Sequence, residues 1–478
     1  SAIEAAKAIQ KGEVSSLELT QHIFNRIERY NPTLNAVITI LKDDALNRAR
    51  AADEALEKGQ IWGPLHGVPC SVKDTFEIAN VLTTAGMPEL AKHIPKRNAV
   101  VVNRMLGAGA VIIGHTNVPF MASNLQSYNE IFGTTNNPWD HDRTPGGSTG
   151  GGATALAAGL SYLSIGSDIG GSIRTPSNFC GVFGHKPSLN IIPASGHIPP
   201  LPGILVPPSD LNVIGPLARS AADLKLALKI FGGPEPDEAI AYCWTLPPSR
   251  GTQLSDYHMG YILDDPLCPV IPEVKEVLLK TIGAFREKGA KLKEGWPSGV
   301  NPSDQYETYR FLLMSTYAYL LQDDQEEELR KLAAKKDGSE EVRTAWAFTA
   351  PHKHFLMANV ARMTARAVWQ DYFRTHDAFL LPTTFIPAFP HDHSEPMDKR
   401  CLNTPEGPRP YLDILFWISF ATLTGLPATT APIGLTKDGL PVGLQIIGPY
   451  LEDATPIDLA GILTEIVGGF KPPDGYKV

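Results

Sequence analysis

The stretch PGGSTGGGATALAAGLSYLSIGSDIGGSIRTPSNFCGVFGHKP, Pro145–Pro187, decides how this chain is read. It carries two glycine-flanked serines, Ser148 and Ser172, joined by a small-residue run from Ala153 to Leu160 that reads as a helix. Tyr162–Ile165 then reads as a strand and Ser167–Gly171 as a turn, and IRTPSNFC after Ser172 can open a second helix. A strand, a glycine turn and a helix N-terminus therefore converge on Ser172. Unpaired N–H groups at such a terminus, turned toward one point by glycines, would stabilise an oxyanion beside the hydroxyl. The alternative in isolation is a serine that only caps its helix.

Ser148 formally matches the G-x-S-x-G nucleophile elbow in Gly146–Gly150. An elbow needs a strand immediately before it, and the preceding NNPWDHDRTP, polar and holding two prolines, cannot supply one. Taken alone, this segment is a glycine-rich turn that caps the following helix. Neither G-x-G-x-x-G nor G-x-x-x-x-G-K-[ST] threads through the glycines, so no nucleotide fingerprint is present.

Upstream, GVPCSVKD places Lys73 at the end of an apolar strand, Val68–Val72, and before Asp74. A buried lysine loses basicity toward neutrality and becomes a general base; a surface lysine paired with Asp74 is the alternative. The two H-x-H pairs, His352/His354 and His391/His393, have no carboxylate at ligand spacing and read as surface histidines, so no metal site is expected. The aromatic run Tyr306–Leu320 reads as a core helix, with lining of an apolar pocket as the alternative.

Outward from this centre, strand and helix alternate at both ends of the chain. Residues 2–29 read as two helices broken at Lys11–Gly12–Glu13, the second capped by Ser15 or Ser16. Leu34–Leu41 reads as a strand, Asp44–Glu57 as a helix, Asn98–Leu106 as a helix and Val111–Ile113 as a strand. Ser220 and Asp223 resemble a capping box for a helix ending at Phe231. Tyr261–Asp264 and Ala378–Pro382 read as strands, Pro272–Lys288 and Leu412–Thr424 as helices, and Ala428–Ile433 with Val442–Ile447 as a closing hairpin. Residues 300–380 differ in texture, being helical and in part highly charged, and Phe385–Glu406 reads as loop. The expected class is α/β: a mixed, mostly parallel sheet with helices on both faces and an added, mainly helical lobe.

With 478 residues, 43% of them hydrophobic and 19% charged, the chain can bury a large core. A net charge of −9 without a basic stripe argues against direct nucleic-acid binding. Five scattered cysteines without CxxC spacing suggest neither disulfides nor zinc and fit a reducing compartment. The first residues lack a signal-peptide pattern and no apolar run approaches a membrane span, so a cytoplasmic protein without membrane attachment is expected.

Taken together, GVPCSVKD (67–74), TTNNPWD (134–140), PGGSTGGG (145–152), GSDIGGSIRTPSNFCGVFGHKPS (166–188), GPLARSAADL (215–224), GLPATTAPIG (425–434) and GLPVGLQIIG (439–448) resemble the amidase signature family. The resemblance implies a single domain over 1–478, with a catalytic core at 60–235 and a variable, substrate-lining lobe at 300–420. It implies Ser172 as nucleophile, Ser148 as a bridging serine after a cis Gly147–Ser148 bond, and Lys73 as base. Backbone N–H groups of Ile169, Gly170, Gly171 and Ser172 would form the oxyanion hole, braced by Asp168 and Arg174. Thr149 stands where the family often has a second serine and is expected to support the relay. Met121, Ala122, Ser123 and Asn124 are expected to line the substrate.

The implied reaction is cofactor-free hydrolysis of a small-molecule amide, anilide or carbamate by a monomer or homodimer. The same motifs also resemble the amidase component of a glutamine-dependent tRNA amidotransferase, which would need partner chains. A non-catalytic scaffold with the same fold is the third reading.

Overall fold

Among the described residues eleven strands form one sheet, and every residue of the five consecutive strands from Val111–Thr116 to Phe183–Lys186 is buried, which requires cover on both faces. In sheet order the strands are Val37–Ile40, Val111–Thr116, Pro69–Lys73, Leu163–Asp168, Val213–Ala218, Phe183–Lys186, Ala428–Leu435, Pro441–Ile447, Ala378–Pro382, His258–Tyr261 and Lys291–Glu294. The structure, a computed structural model, describes residues 1–203 and 210–477.

The α/β class and the mixed sheet agree with expectation, but parallel pairing is confined to two blocks. Pro69–Lys73 runs parallel to both its neighbours, as does His258–Tyr261 to its own. The remaining six pairings are antiparallel. The reason lies in two strands that periodicity does not reveal. Val213–Ala218 carries Gly215 and Pro216 inside a fully buried strand, and Phe183–Lys186 is four residues long with no alternation of burial. Both insert antiparallel between the Leu163–Asp168 strand and the closing hairpin.

The first two helices are Ala2–Gln10 and Ser16–Leu34, the second opened by a capping box from Ser15 to Glu18. Ser220 caps Ala221–Phe231 by accepting from the Asp223 N–H at 3.1 Å. The Asp223 carboxylate does not return to Ser220; it accepts from the N–H groups of Ala2 and Ile3 at 3.0 and 2.9 Å. One side chain thereby fixes the N-terminal helix to a segment more than two hundred residues away.

The closing hairpin spans Ala428–Leu435 and Pro441–Ile447 as the sequence suggests. The strand expected at Tyr261–Asp264 lies earlier, at His258–Tyr261, where it pairs with Ala378–Leu380. The segment expected as loop, Phe385–Glu406, holds a short helical turn at Met397–Lys399 and the strand Cys401–Thr404, which forms a small hairpin with Gly407–Pro410. Helices Pro302–Thr316, Asp323–Ala333, Glu340–Thr349 and His352–Tyr372 make up the helical lobe. No helix among the described residues is long and apolar enough to cross a membrane.

Candidate active site

Two parallel strands deliver the first part of the site. Val72 pairs with Ile165, so Lys73 and Ser167, just beyond that pair, emerge together at the carboxyl ends of these two strands. Lys73 is wholly buried, and its Nζ donates to Ser148 Oγ at 2.8 Å and to Ser167 Oγ at 2.9 Å. Burial pushes the lysine down from 10.5 to about 7, against a weaker upward pull from the Asp168 charge. The alternative of a surface lysine paired with Asp74 does not hold. Asp74 turns to Thr84 Oγ1 at 2.5 Å and to His115 Nδ1 at 3.3 Å instead.

Ser148 follows a cis Gly147–Ser148 peptide bond. A Cβ on Gly147 would collide with the Asn124 carbonyl, so the chain approaches this closely only as glycine. Ser172 sits after the turn that ends Leu163–Asp168 and before the helix Arg174–Cys180. The two serines are tied through the backbone, where the Thr149 N–H donates to the Ser172 carbonyl at 3.2 Å. Among the described residues no hydrogen bond joins their hydroxyls, although both face one cavity.

Asp168 organises the turn. Its carboxylate accepts from the Gly171 N–H at 3.0 Å and the Ile173 N–H at 3.1 Å, and it forms a fork with Arg174 at 2.8 and 3.0 Å. Burial alone would raise this carboxyl, but the Arg174 charge and hydrogen bonds hold it below the usual carboxylate range. Arg174 is itself fully buried and donates further to Ile418 O, Gln445 Oε1 and Thr422 Oγ1. Gly171, at φ +86°, thus departs from its expected part in an oxyanion hole, because its N–H is committed to Asp168. The N–H groups of Ile169, Gly170 and Ser172 have no acceptor among the described residues.

Thr149 contributes backbone rather than hydroxyl, since its Oγ1 is buried without a partner. Of the four expected lining residues, Met121 and Ala122 reach the cavity wall, both at positive φ. Ser123 instead donates to the Phe120 carbonyl, and Asn124 accepts from the Tyr411 hydroxyl behind the wall. The aromatic run proves double in character. Tyr309 is buried and donates to the Ile169 carbonyl at 3.0 Å, while Tyr317 lines the cavity. Ser167 and His197, which no sequence pattern singles out, also line it. Ser167 has the same strand-end position as Asp168; His197 lies in a loop with no signal.

Residues 18–456 match the amidase family profile. The chain belongs to the amidase family. It is 32% identical over 471 residues to one of the subunits of the glutamyl-tRNA(Gln) amidotransferase of Thermus thermophilus, covering 94% of this chain and 93% of that protein. It is likewise 32% identical over 460 residues to an acylamidase of Rhodococcus erythropolis, covering 95% and 92%. A solved amidase structure superposes with a TM-score of 0.79 at 28% identity, over 97% of this chain and 99% of that one. The family is one of enzymes, and this chain is an amidase of the α/β class that its sheet already indicated.

Proposed function

We propose that this protein hydrolyses a carboxamide-type C–N bond, in an amide, anilide or carbamate, through an acyl-Ser172 intermediate. The observation that carries the reading is the wholly buried Lys73, 2.8 Å from the Oγ of Ser148, which itself lines one cavity with Ser172. Neutral Lys73 takes the Ser148 proton while Ser148 takes that of Ser172, whose Oγ bonds to the substrate carbonyl carbon. The carbonyl π electrons move to oxygen, held by the open N–H groups of Ile169, Gly170 and Ser172. Collapse breaks the C–N bond, and the proton returns from Lys73 through Ser148 to the leaving nitrogen. Water then repeats the cycle on the acyl-enzyme, releasing the acid and restoring Ser172. The missing contact between the two serine hydroxyls is of the kind that commonly tightens only with substrate bound.

A panel of amide, anilide, ester and carbamate substrates, run on wild type beside Ser172→Ala, tests this. Turnover by wild type with an acyl adduct on the Ser172 peptide supports it; turnover by Ser172→Ala sinks it. The relatedness to tRNA amidotransferase components favours a second reading, release of ammonia from glutamine within a larger assembly. Robust hydrolysis of bulky amides by the isolated chain removes that reading, and copurification of partner chains with glutaminase activity supports it.

A further inference from the structure

The lysine has a second hydroxyl neighbour that leads away from the nucleophile. Ser167 Oγ, 2.9 Å from Lys73 Nζ, is also 2.9 Å from His197 Nε2, and His197 Nδ1 is 3.0 Å from the Pro199 carbonyl oxygen. A carbonyl only accepts, so the ring proton belongs on Nδ1, and Nε2 of the neutral ring must accept. The donor facing it is the Ser167 hydroxyl. Its one proton is then spent on His197, and Ser167 meets Lys73 with lone pairs alone. The direction of the whole row is set from the Pro199 end.

Other observations agree. His197 is 7% exposed, packs edge-on against Phe76 at a centroid distance of 5.0 Å, and forms part of the cavity wall with Ser148 and Ser172. Burial first, then the Lys73 charge, pushes the imidazole down to about 3, so the ring is neutral where the lysine titrates. The charged groups that act on Lys73 and His197 are Asp168 on the neighbouring strand and Lys73 itself. Asp74, next in sequence to Lys73, has its carboxylate engaged by Thr84 and His115.

We infer that His197 is a positioning residue for the base: it holds Ser167 as an acceptor, so that neutral Lys73 gives an N–H to Ser167 and aims its lone pair at the Ser148 proton. Without the imidazole, the Ser167 hydroxyl turns and donates to the amine. It then occupies the lone pair that the relay requires and favours the neutral amine. The inference rests on Lys73 being the base, as proposed above.

The test measures kcat and KM from about pH 5 to 9 for His197→Leu, His197→Gln, Ser167→Ala and the Ser167→Ala/His197→Leu double variant. His197→Leu is expected to lower kcat by about 10- to 100-fold with KM within about twofold, the loss of one positioned hydrogen bond. Its acid limb should move to lower pH. His197→Gln, with an amide oxygen to accept from Ser167, should recover most of the activity and the wild-type limb. In the Ser167→Ala background His197→Leu should do nothing further, because the residue acts only through that hydroxyl. Multiplying effects in the double variant, or a raised KM with an unmoved acid limb, would overturn the inference and leave His197 as cavity wall. If His197→Leu does not fold, an unrecovered kcat in folded His197→Gln overturns it equally. Activity in Lys73→Ala would instead sink the base assignment, a failure separate from that of His197.

Discussion

Two lysines in this molecule share a setting and differ in what surrounds the amine. Lys73 and Lys186 each end a strand, each is wholly buried, and burial pushes each from 10.5 to about 7. Lys186 Nζ donates at 2.8 Å to the Pro187 carbonyl, an acceptor with no proton to exchange. Of the charges acting on it, Arg174 (downward), Asp168 and Asp453 (upward) are buried and Arg366 (downward) is half-buried. Lys73 instead meets two hydroxyls, those of Ser148 and Ser167, and both line the cavity that holds Ser172. A depressed pKa makes an amine available as a base. Only a neighbour that can pass a proton onward makes it useful.

The largest expected effects contrast the two lysines directly. Ser172→Ala and Lys73→Met should each lower kcat/KM by about a thousandfold or more, the scale on which members of a nucleophile–base set fail. Lys186→Met should stay within about tenfold of wild type. A folded Lys186→Met as inactive as Lys73→Met would break the distinction drawn between them.

Next comes pH. A base that must be neutral makes kcat/KM rise about tenfold per pH unit below its pKa and level off above it. The inflection is expected near 7, where the buried Lys73 amine titrates, and Lys186→Met should leave it in place. A rate profile flat across neutrality would refute Lys73 as base.

Stability should treat the two lysines alike, which sharpens the contrast. Unfolded, a lysine keeps its proton to 10.5, whereas in the fold each gives it up at about 7. Between those values the unfolded chain binds more protons, so wild-type stability rises with pH across that window. Either Met variant should therefore gain most below pH 7, roughly 2–5 kcal/mol, and its advantage should fade toward pH 10.5. Denaturant unfolding at several pH values measures this.

The smallest change is expected at Thr149→Ser. Its Oγ1 has no partner, so activity should stay within about threefold, with about 1 kcal/mol of stability lost with the methyl group.

Much of the architecture was legible where neighbouring residues decide it. The breaks at Lys11–Gly12–Glu13, the Ser15 cap and the closing hairpin follow from local patterns, and the structure has them. Val213–Ala218 was illegible because proline and glycine, ordinarily breakers, lie inside a strand that its neighbours hold on both edges. Asp223 looked like half of a capping box, and its carboxylate went to the first helix, because a partner hundreds of residues away offered two free N–H groups.

The sequence by itself determined the family and the local frame of Ser172: a strand, a glycine turn and a helix start within a dozen residues. Backbone geometry over that span follows from the residues themselves. Only the tertiary structure decided what Lys73 is, because its basicity depends on water being excluded from every side and its partners come from 75 and 94 positions away. It alone committed the Gly171 N–H to Asp168 and brought His197 to Ser167. Hydrogen-bond direction is settled by the last partner in the row, and no local pattern records which partner that is.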